Sequence, residues 1–136
     1  DLGVPSYLIG ATVIGVLAQR LVRTLCPACK LRDDATTRET LDDFARPWRL
    51  SGGVRAYNPV GCLECRHTGF RGRAGLYELL VMDDAARAAV HPALDAEALR
   101  RVAVKSGLRP LRLAGGMKVA EGQTTLAEVL RNTPGL

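Results

Sequence analysis

The chain has 136 residues, 47% of them hydrophobic, and a formal net charge of +5. This hydrophobic content excludes a disordered chain, and the length suits one core or two small lobes that share a surface. Acidic residues are interspersed with the basic ones and no basic block stands out, so the charge indicates a solvated surface rather than a nucleic-acid-binding face.

The first segment predicts a buried helix. Apolar residues from Tyr7 to Arg23 occur at helical spacing, and Ser6 can cap the start. Residues 2–18 are uncharged, but a proline and three glycines interrupt them, and they are too short to span a membrane. Because the chain begins at Asp1 rather than Met, we expect that further residues preceded it. A secretory signal is not expected, because the segment has no basic leader and no small-residue cleavage site. We therefore expect a soluble, cytoplasmic chain.

The middle of the chain is poor in large apolar residues from Cys26 to Arg73. A short helix is predicted around Thr37 to Ala45, because Pro47 follows it, and a strand around Val54 to Tyr57, after a glycine turn. So few apolar side chains make a thin core. The sequence therefore predicts that this lobe needs another source of stability.

The remaining residues predict a strand and then helices. The GFRGRAG sequence at 69–75 is interpreted as a turn that enters a strand over Ala74 to Met82. Helix caps and stops then predict four helices: Asp83 to about Val90, Asp95 to Ser106, Leu111 to Glu121, and Leu126 to Asn132 after Thr125. The predicted fold class is α+β, mainly α. Its segments are residues 1–25 (helical), 26–81 (a four-cysteine lobe with an exit strand) and 82–136 (a helical C-terminal subdomain).

All four cysteines fall into two C-x-x-C pairs, Cys26 with Cys29 and Cys62 with Cys65. Two residues between ligands let one turn direct both thiolates to a single ion, and two such turns complete the tetrahedral sulfur shell of structural zinc. Closing the loop between the pairs costs about 3 kcal/mol, whereas zinc binding in small peptides is worth about 10–16 kcal/mol. The sequence therefore predicts one structural zinc ion, with no open coordination position for catalysis.

Other interpretations of the cysteines remain open at this point. Iron also accepts four thiolates, and free thiols or disulfides are alternatives, although disulfides are rare in cytosolic proteins. His67 and His91 are interpreted as surface histidines, because four sulfurs already saturate the ion. The chain contains no G-x-x-x-x-G-K-[ST] phosphate loop. We therefore assign no catalytic residue.

Three strings resemble the ATPase family of type II secretion and type IV pilus assembly: LIGATVIGVLAQRLVRTLCPACK at 8–30, GCLECRHTGFRGRAGLYELLVMDD at 61–84 and GLRPLRLAGGMKVAEGQTTLAEVLRNT at 107–133. The resemblance spans nearly the whole chain, and the four cysteines match the family's metal ligands one for one. Pilus-retraction members lack these cysteines, which favours the secretion or pilus-assembly branch. The AQRLVRTLCPAC string favours type II secretion.

The resemblance implies a hexameric, RecA-like motor whose nucleotide-hydrolysing core lies mostly upstream of this chain, with residues 1–25 belonging to that core. ATP and Mg²⁺ would bind only in the parent protein. The implied location is the cytoplasmic face of the bacterial inner membrane, and the implied partners are inner-membrane secretion components. No nucleic acid is an expected partner, and no membrane span is expected.

Two other functions compete with this one. A zinc-ribbon nucleic-acid-binding module would fit the pI of 9.4 and the paired cysteines, but aromatic residues are only 4% of the chain and no basic stripe marks a reading helix. A chaperone-like zinc domain of the Hsp40 kind would require cysteines for two metal sites. The four cysteines here supply one site.

Overall fold

The computed structural model describes residues 3–93 and 95–133. Its elements are α1 (Ser6–Thr12), β1 (Gly15–Leu25), β2 (Leu31–Arg32), α2 (Arg38–Phe44), β3 (Tyr57–Asn58), a 3-10 turn (Leu63–Cys65), β4 (Phe70–Val81), α3 (Asp84–Ala89), α4 (Ala96–Lys105), α5 (Leu111–Ala120) and α6 (Leu126–Asn132). The predicted α+β class is confirmed. The outer ends of the first and last predicted segments, residues 1, 2 and 134–136, lie outside the described residues.

The buried helix predicted from Tyr7 to Arg23 is wrong beyond Thr12, and no residue of α1 is buried. Ser6 is the first residue of α1 rather than its cap, which is Pro5. Residues Gly15–Leu25 form strand β1 instead, and β1 pairs with β4. Gly15 permits this close approach, because a Cβ at that position would lie 2.9 Å from the carbonyl oxygen of Leu80. Val16, Val22 and Thr24 are β-branched and suit a strand, and pairing with a distant strand overrides local helical spacing.

Strand β4 is longer than predicted. It begins at Phe70 rather than Ala74, so most of the GFRGRAG sequence belongs to the strand, with Gly72 in the left-handed region at φ +85°. The predicted strand at 54–57 is reduced to Tyr57–Asn58, which pairs antiparallel with Leu31–Arg32. Short strands of this kind bring distant parts of the cysteine lobe into register.

The predicted helices after β4, and the helix at 37–45, are confirmed. The side chains of Thr37, Asp83, Asp95 and Thr125 each accept a hydrogen bond from a backbone N–H in the first turn of the following helix. Gly107, at φ +99°, follows the end of α4, where a glycine is favoured. These boundaries were predictable because caps and stops are local signals.

Two compact units divide the chain. One comprises the described residues of Asp1–Ala18 and Glu78–Arg109, and the other those of Gln19–Tyr77 and Pro110–Leu136. The division into segments 1–25, 26–81 and 82–136, drawn from the sequence on functional grounds, stays a prediction. Among residues 3–93 and 95–133, no helix is long and apolar enough to cross a membrane.

The second unit contains all four cysteines and a small apolar core. Leu41 of α2 is fully buried, and α2 contacts α5. Helix α5 also packs on α6, where Gly115 faces Val129 so closely that an added Cβ would collide with the valine side chain. The C-terminal helices therefore complete the core of the unit that carries the cysteines.

An ion pair between a half-exposed arginine and a buried glutamate joins β1 to α6 in this unit. The guanidinium of Arg23 lies 2.5 Å from the carboxylate of Glu128, which is 3% exposed. A second oxygen of Glu128 accepts a hydrogen bond of 3.2 Å from the backbone N–H of Arg23. The Arg23 hydrogen bond lowers the pKa of Glu128 below its ordinary value of 4.5, against the opposing effect of burial.

Glu128→Gln is expected to make the free energy of unfolding depend less on pH in the acidic range. Because the pKa of Glu128 is lower in the folded state, the ionised pair stabilises the fold above about pH 4.5, and this contribution is lost as the pH falls through the folded-state pKa. We expect the free energy of unfolding of the variant to be about 1 kcal/mol lower than that of the wild type at pH 7. On acidification, the variant should lose less stability than the wild type.

The measurement is urea denaturation at pH 7 and at successive lower values. Glu97→Gln is the matched control, because its ion pair with Arg101 is exposed, 3.8 Å long and expected to contribute little. Parallel acid profiles for wild type and Glu128→Gln would contradict the assignment of this contribution to Glu128.

Candidate metal centre

Each cysteine pair lies on a tight backbone turn. Cys26 follows β1 directly, and its carbonyl oxygen accepts hydrogen bonds from the N–H groups of Cys29 and Lys30 at 3.4 and 3.1 Å. The carbonyl oxygen of Cys62 accepts in the same way from Cys65 and His67 at 3.3 and 2.8 Å. The two C-x-x-C sequences therefore form similar turns, each presenting two sulfur atoms on one side.

The two turns bring the four sulfur atoms together. The Sγ distances are 3.9 Å for Cys26 to Cys62, 3.9 Å for Cys29 to Cys65 and 3.8 Å for Cys62 to Cys65, and all four atoms lie within 4.8 Å of one another. A tetrahedral site with metal–sulfur bonds of about 2.3 Å has edges of about 3.8 Å, whereas a disulfide bond is about 2.0 Å long. The four cysteines are free thiols that could bind one metal ion.

Backbone N–H groups point at these sulfurs. Gly61 donates to the Sγ of Cys29 at 3.3 Å, and both Cys62 and Gly69 donate to the Sγ of Cys65 at 3.2 Å. Such hydrogen bonds stabilise the charged thiolate, which is the form that binds metal. The lobe therefore offers four sulfur atoms, together with backbone contacts that would compensate part of the negative charge of their thiolates.

The two glycines that donate to these sulfurs, Gly61 and Gly69, occupy positions that would not accept a side chain. Gly61 and Gly69 adopt φ values of +114° and +76°, which favour glycine. A Cβ at Gly61 would lie 2.7 Å from the carbonyl oxygen of His67, and one at Gly69 would lie 2.5 Å from the Cβ of Pro59. The spacing of the cysteines does not predict the contact between Gly69 and Pro59.

The thiols differ in acidity because their surroundings differ. Burial raises the pKa of Cys29 to about 11, assisted by its hydrogen bonds to the other three thiols and opposed by the N–H of Gly61. At Cys65 burial also raises the pKa, but hydrogen bonds from the N–H groups of Cys62 and Gly69 and from neighbouring thiols lower it to about 6. Metal binding must displace the remaining thiol protons, so affinity is expected to increase with pH.

The histidines lie apart from this cluster. His67 and His91 are both exposed, as predicted, and neither belongs to the group of four sulfurs. Within residues 3–93 and 95–133, Cys26, Cys29, Cys62 and Cys65 are the only group of three or more His, Cys, Asp or Glu side chains arranged to hold a metal. The candidate site therefore has four sulfur ligands.

Sequence similarity to known proteins extends over nearly the whole chain and is not confined to the cysteines. The model of a family described as type II/IV secretion system protein matches residues 1–131. The chain is 42% identical over 134 residues to the type IV pilus assembly ATPase TfpB of Acinetobacter baylyi, and 43% over 133 residues to the type II secretion system protein E of Aeromonas hydrophila. It is 38% identical over 135 residues to the type II secretion system ATPase E of Vibrio cholerae.

These alignments cover 98% of this chain but only 23–26% of each relative. The chain thus spans about a quarter of the length of the curated relatives it matches. Its sequence, its cysteine cluster and the extent of the family match agree with the resemblance seen in its own motifs. The chain belongs to the type II/IV secretion system protein family.

Proposed function

We propose that this chain is the non-catalytic C-terminal part of a hexameric secretion ATPase, and that a structural zinc ion holds its cysteine lobe together. The parent protein would couple ATP hydrolysis in a RecA-like core to protein export across the bacterial outer membrane by the type II system. It would act at the cytoplasmic face of the inner membrane, with inner-membrane secretion components as partners. The family match and the relatives named as ATPases support this assignment.

The single observation that carries the metal proposal is the arrangement of four sulfurs at distances close to those of a tetrahedral thiolate site. The proposed ligands are Cys26, Cys29, Cys62 and Cys65. Zinc suits four thiolates, and iron is the chemical alternative. When bound, the ion would supply structural support only, because no coordination position is left open for a substrate.

The thin core of the lobe supports a structural role for the metal. The fully buried large aliphatic side chains of residues 26–81 are Leu41 and Leu76, and Leu50 is nearly buried. Fully burying one leucine contributes about 1.5–3 kcal/mol, whereas structural zinc sites contribute about 10–16 kcal/mol. The metal would then exceed any single apolar contact as a source of stability in this lobe.

We expect one zinc ion per chain in protein purified without chelators. Elemental analysis after dialysis against metal-free buffer measures the ratio, and thiol titration under denaturing conditions measures the oxidation state of the cysteines. One zinc with four reducible thiols is the expected result. One iron per chain would retain the site but change the ion, and no metal with four oxidised cysteines would reject the structural-metal proposal.

We also expect that the chain alone neither binds nor hydrolyses ATP. It lacks a phosphate loop, whose backbone N–H groups and lysine would hold the phosphates. The measurement is ATP turnover by the zinc-loaded chain, with the full-length parent as the positive control. Turnover that follows this chain through successive purification steps would show that it contains a nucleotide site and would contradict the non-catalytic assignment.

The choice between secretion and pilus assembly rests on the AQRLVRTLCPAC sequence. The pilus-assembly relative is 42% identical to this chain and the type II secretion relative is 43% identical. Overall sequence identity therefore does not separate the two systems. We retain type II secretion as the proposal. A complementation assay decides it: a chimeric parent carrying this segment should restore export in a type II secretion mutant, and restoration of pilus assembly alone would overturn the choice.

A further inference from the structure

We propose that the connection between α5 and α6 packs against the metal lobe, so that metal binding and the docking of α5 and α6 stabilise each other. We define the clasp as residues 120–128, from the end of α5 into α6. This inference rests on the proposed metal function. It adds that residues remote in sequence from every cysteine determine how tightly the metal is bound.

The clasp contacts both sides of the first cysteine turn. The backbone N–H of Leu25, the residue immediately before Cys26, donates to the carbonyl oxygen of Gln123 at 2.8 Å. The side chain of Lys30, the residue immediately after Cys29, donates to the carbonyl oxygen of Gly122 at 2.8 Å. The clasp therefore fixes the two chain ends between which Cys26 and Cys29 are presented.

A third contact with a clasp carbonyl oxygen comes from the residues just before β3. The N–H of Arg55 donates to the carbonyl oxygen of Ala120 at 2.8 Å. Lys30 adds to this contact, because its ammonium group lies 4.4 Å from the centre of the Tyr57 ring while it binds the clasp. Leu25, Lys30 and Arg55 thus each donate a hydrogen bond to a clasp carbonyl oxygen.

Gly122 shows how closely the clasp approaches the lobe. Its φ of +70° favours glycine, and a Cβ there would lie 2.5 Å from Cδ2 of Tyr57 and 2.7 Å from the carbonyl oxygen of Arg55. The position lacks space for a side chain as well as having an unfavourable conformation for one. A substitution at Gly122 must therefore displace the clasp from the lobe, or displace the lobe itself.

Buried polar groups at the other end of the clasp hold the end of β1. Thr124 is fully buried, and its hydroxyl donates to the carbonyl oxygen of Arg23 at 2.7 Å. Glu128 binds the guanidinium of Arg23, which also lies 4.1 Å from the centre of the Phe70 ring. Phe70 follows Gly69, whose N–H donates to the Sγ of Cys65. A continuous set of contacts therefore leads from α6 to both cysteine turns.

These contacts make the clasp residues positioning residues for the metal. Residues that orient metal ligands from outside the ligand shell typically affect affinity by about 10–100-fold. Coupling between two sites is reciprocal, so any loss of metal affinity on loosening the clasp implies an equal loosening of the clasp on metal removal. Both directions of this coupling are measurable in the 136-residue chain.

The first experiment measures zinc affinity by competition with a chromophoric chelator. Gly122→Ala is expected to weaken zinc binding by about tenfold or more. Gly107→Ala is the matched control, because Gly107 has φ +99° and nothing within 4 Å of an added Cβ. It imposes a similar backbone penalty without touching the lobe, so we expect less than about a twofold change there.

Thr124→Val is the second variant, because it removes the hydroxyl contact with Arg23 while keeping a similar shape. Its folding is checked by circular dichroism at saturating zinc, and we expect zinc affinity to fall by about threefold to tenfold. This variant decides the matter if Gly122→Ala does not fold. Wild-type affinity in both Thr124→Val and a folded Gly122→Ala protein would overturn the inference.

The reciprocal experiment needs no variant. Removing zinc from the wild-type chain with a chelator is expected to accelerate amide hydrogen exchange in α6 at least about tenfold more than in α4, which belongs to the other compact unit. Equal changes in α4 and α6 would overturn the coupling while leaving metal binding intact. A wild-type chain that binds no zinc at all would instead overturn the proposed metal function, and this inference with it.

Discussion

Cys62→Ser is expected to leave the chain without tightly bound metal and with its cysteine lobe unfolded. The serine hydroxyl does not replace a thiolate as a soft, charged ligand, so three sulfurs would remain around an incomplete shell. Structural zinc contributes about 10–16 kcal/mol at pH 7, which is comparable to the whole stability of an ordinary domain, about 5–15 kcal/mol. The loss of one ligand should therefore abolish the fold of this lobe rather than weaken it slightly.

Circular dichroism, thermal melting and zinc content measure this effect on the same samples. Leu63→Ser is the matched control, because Leu63 lies in the same C-x-x-C turn, is 84% exposed and offers no ligand. We expect Leu63→Ser to retain one zinc ion and a melting temperature near that of the wild type. A Cys62→Ser protein that melts at the wild-type temperature would show that the lobe is stable without a complete sulfur site.

Leu41→Ala is expected to lower the free energy of unfolding of the zinc-loaded chain by about 3 kcal/mol, within the usual range for a buried leucine. Leu41 is fully buried in α2, which packs against α5. The substitution removes apolar contacts and leaves a cavity in the small core that the lobe shares with the C-terminal helices. Denaturation at saturating zinc measures the change.

Glu39→Ala is the control for Leu41→Ala, because Glu39 is exposed on the same helix. We expect Glu39→Ala to change stability by less than about 0.5 kcal/mol. We also expect the effect of Leu41→Ala to become much smaller in metal-free protein, since the lobe should already be unfolded there. The same loss of stability with and without zinc would show that the Leu41 core folds independently of the metal.

The parts of the fold that were predicted correctly depend on local signals. Helices α2 to α6 begin after Thr, Asp or Pro residues and end at recognisable stops, and the two C-x-x-C pairs specify their own turns. Strand β1 was mistaken for a helix because its partner β4 lies far along the chain, and the apolar residues of 7–23 fit helical spacing as well. Residues Gly15–Leu25 acquire their strand conformation from that pairing, which no local pattern shows.

The clustering of the four sulfurs was predictable from the spacing of the cysteines, but the surroundings of the sulfurs were not. The Sγ of Cys65 accepts hydrogen bonds from Cys62 and Gly69, and Gly69 lies so close to Pro59 that it has no room for a side chain. The clasp is harder to foresee, because Gly122 lies about ninety residues after Lys30, to which it is hydrogen-bonded. A glycine between polar residues predicts a turn, but it does not predict which distant surface the turn must fit.

X-ray absorption spectroscopy at the zinc edge of the purified chain tests the central claim most directly, because it reports the identity, number and distance of the ligands in the folded protein. The account predicts four sulfur atoms at about 2.3 Å, with no nitrogen or oxygen neighbour at about 2.0 Å. This spectrum should persist in Leu63→Ser, which keeps all four cysteines. A first shell with fewer than four sulfurs, or one that includes a histidine nitrogen or water oxygen in the wild-type chain, would contradict it.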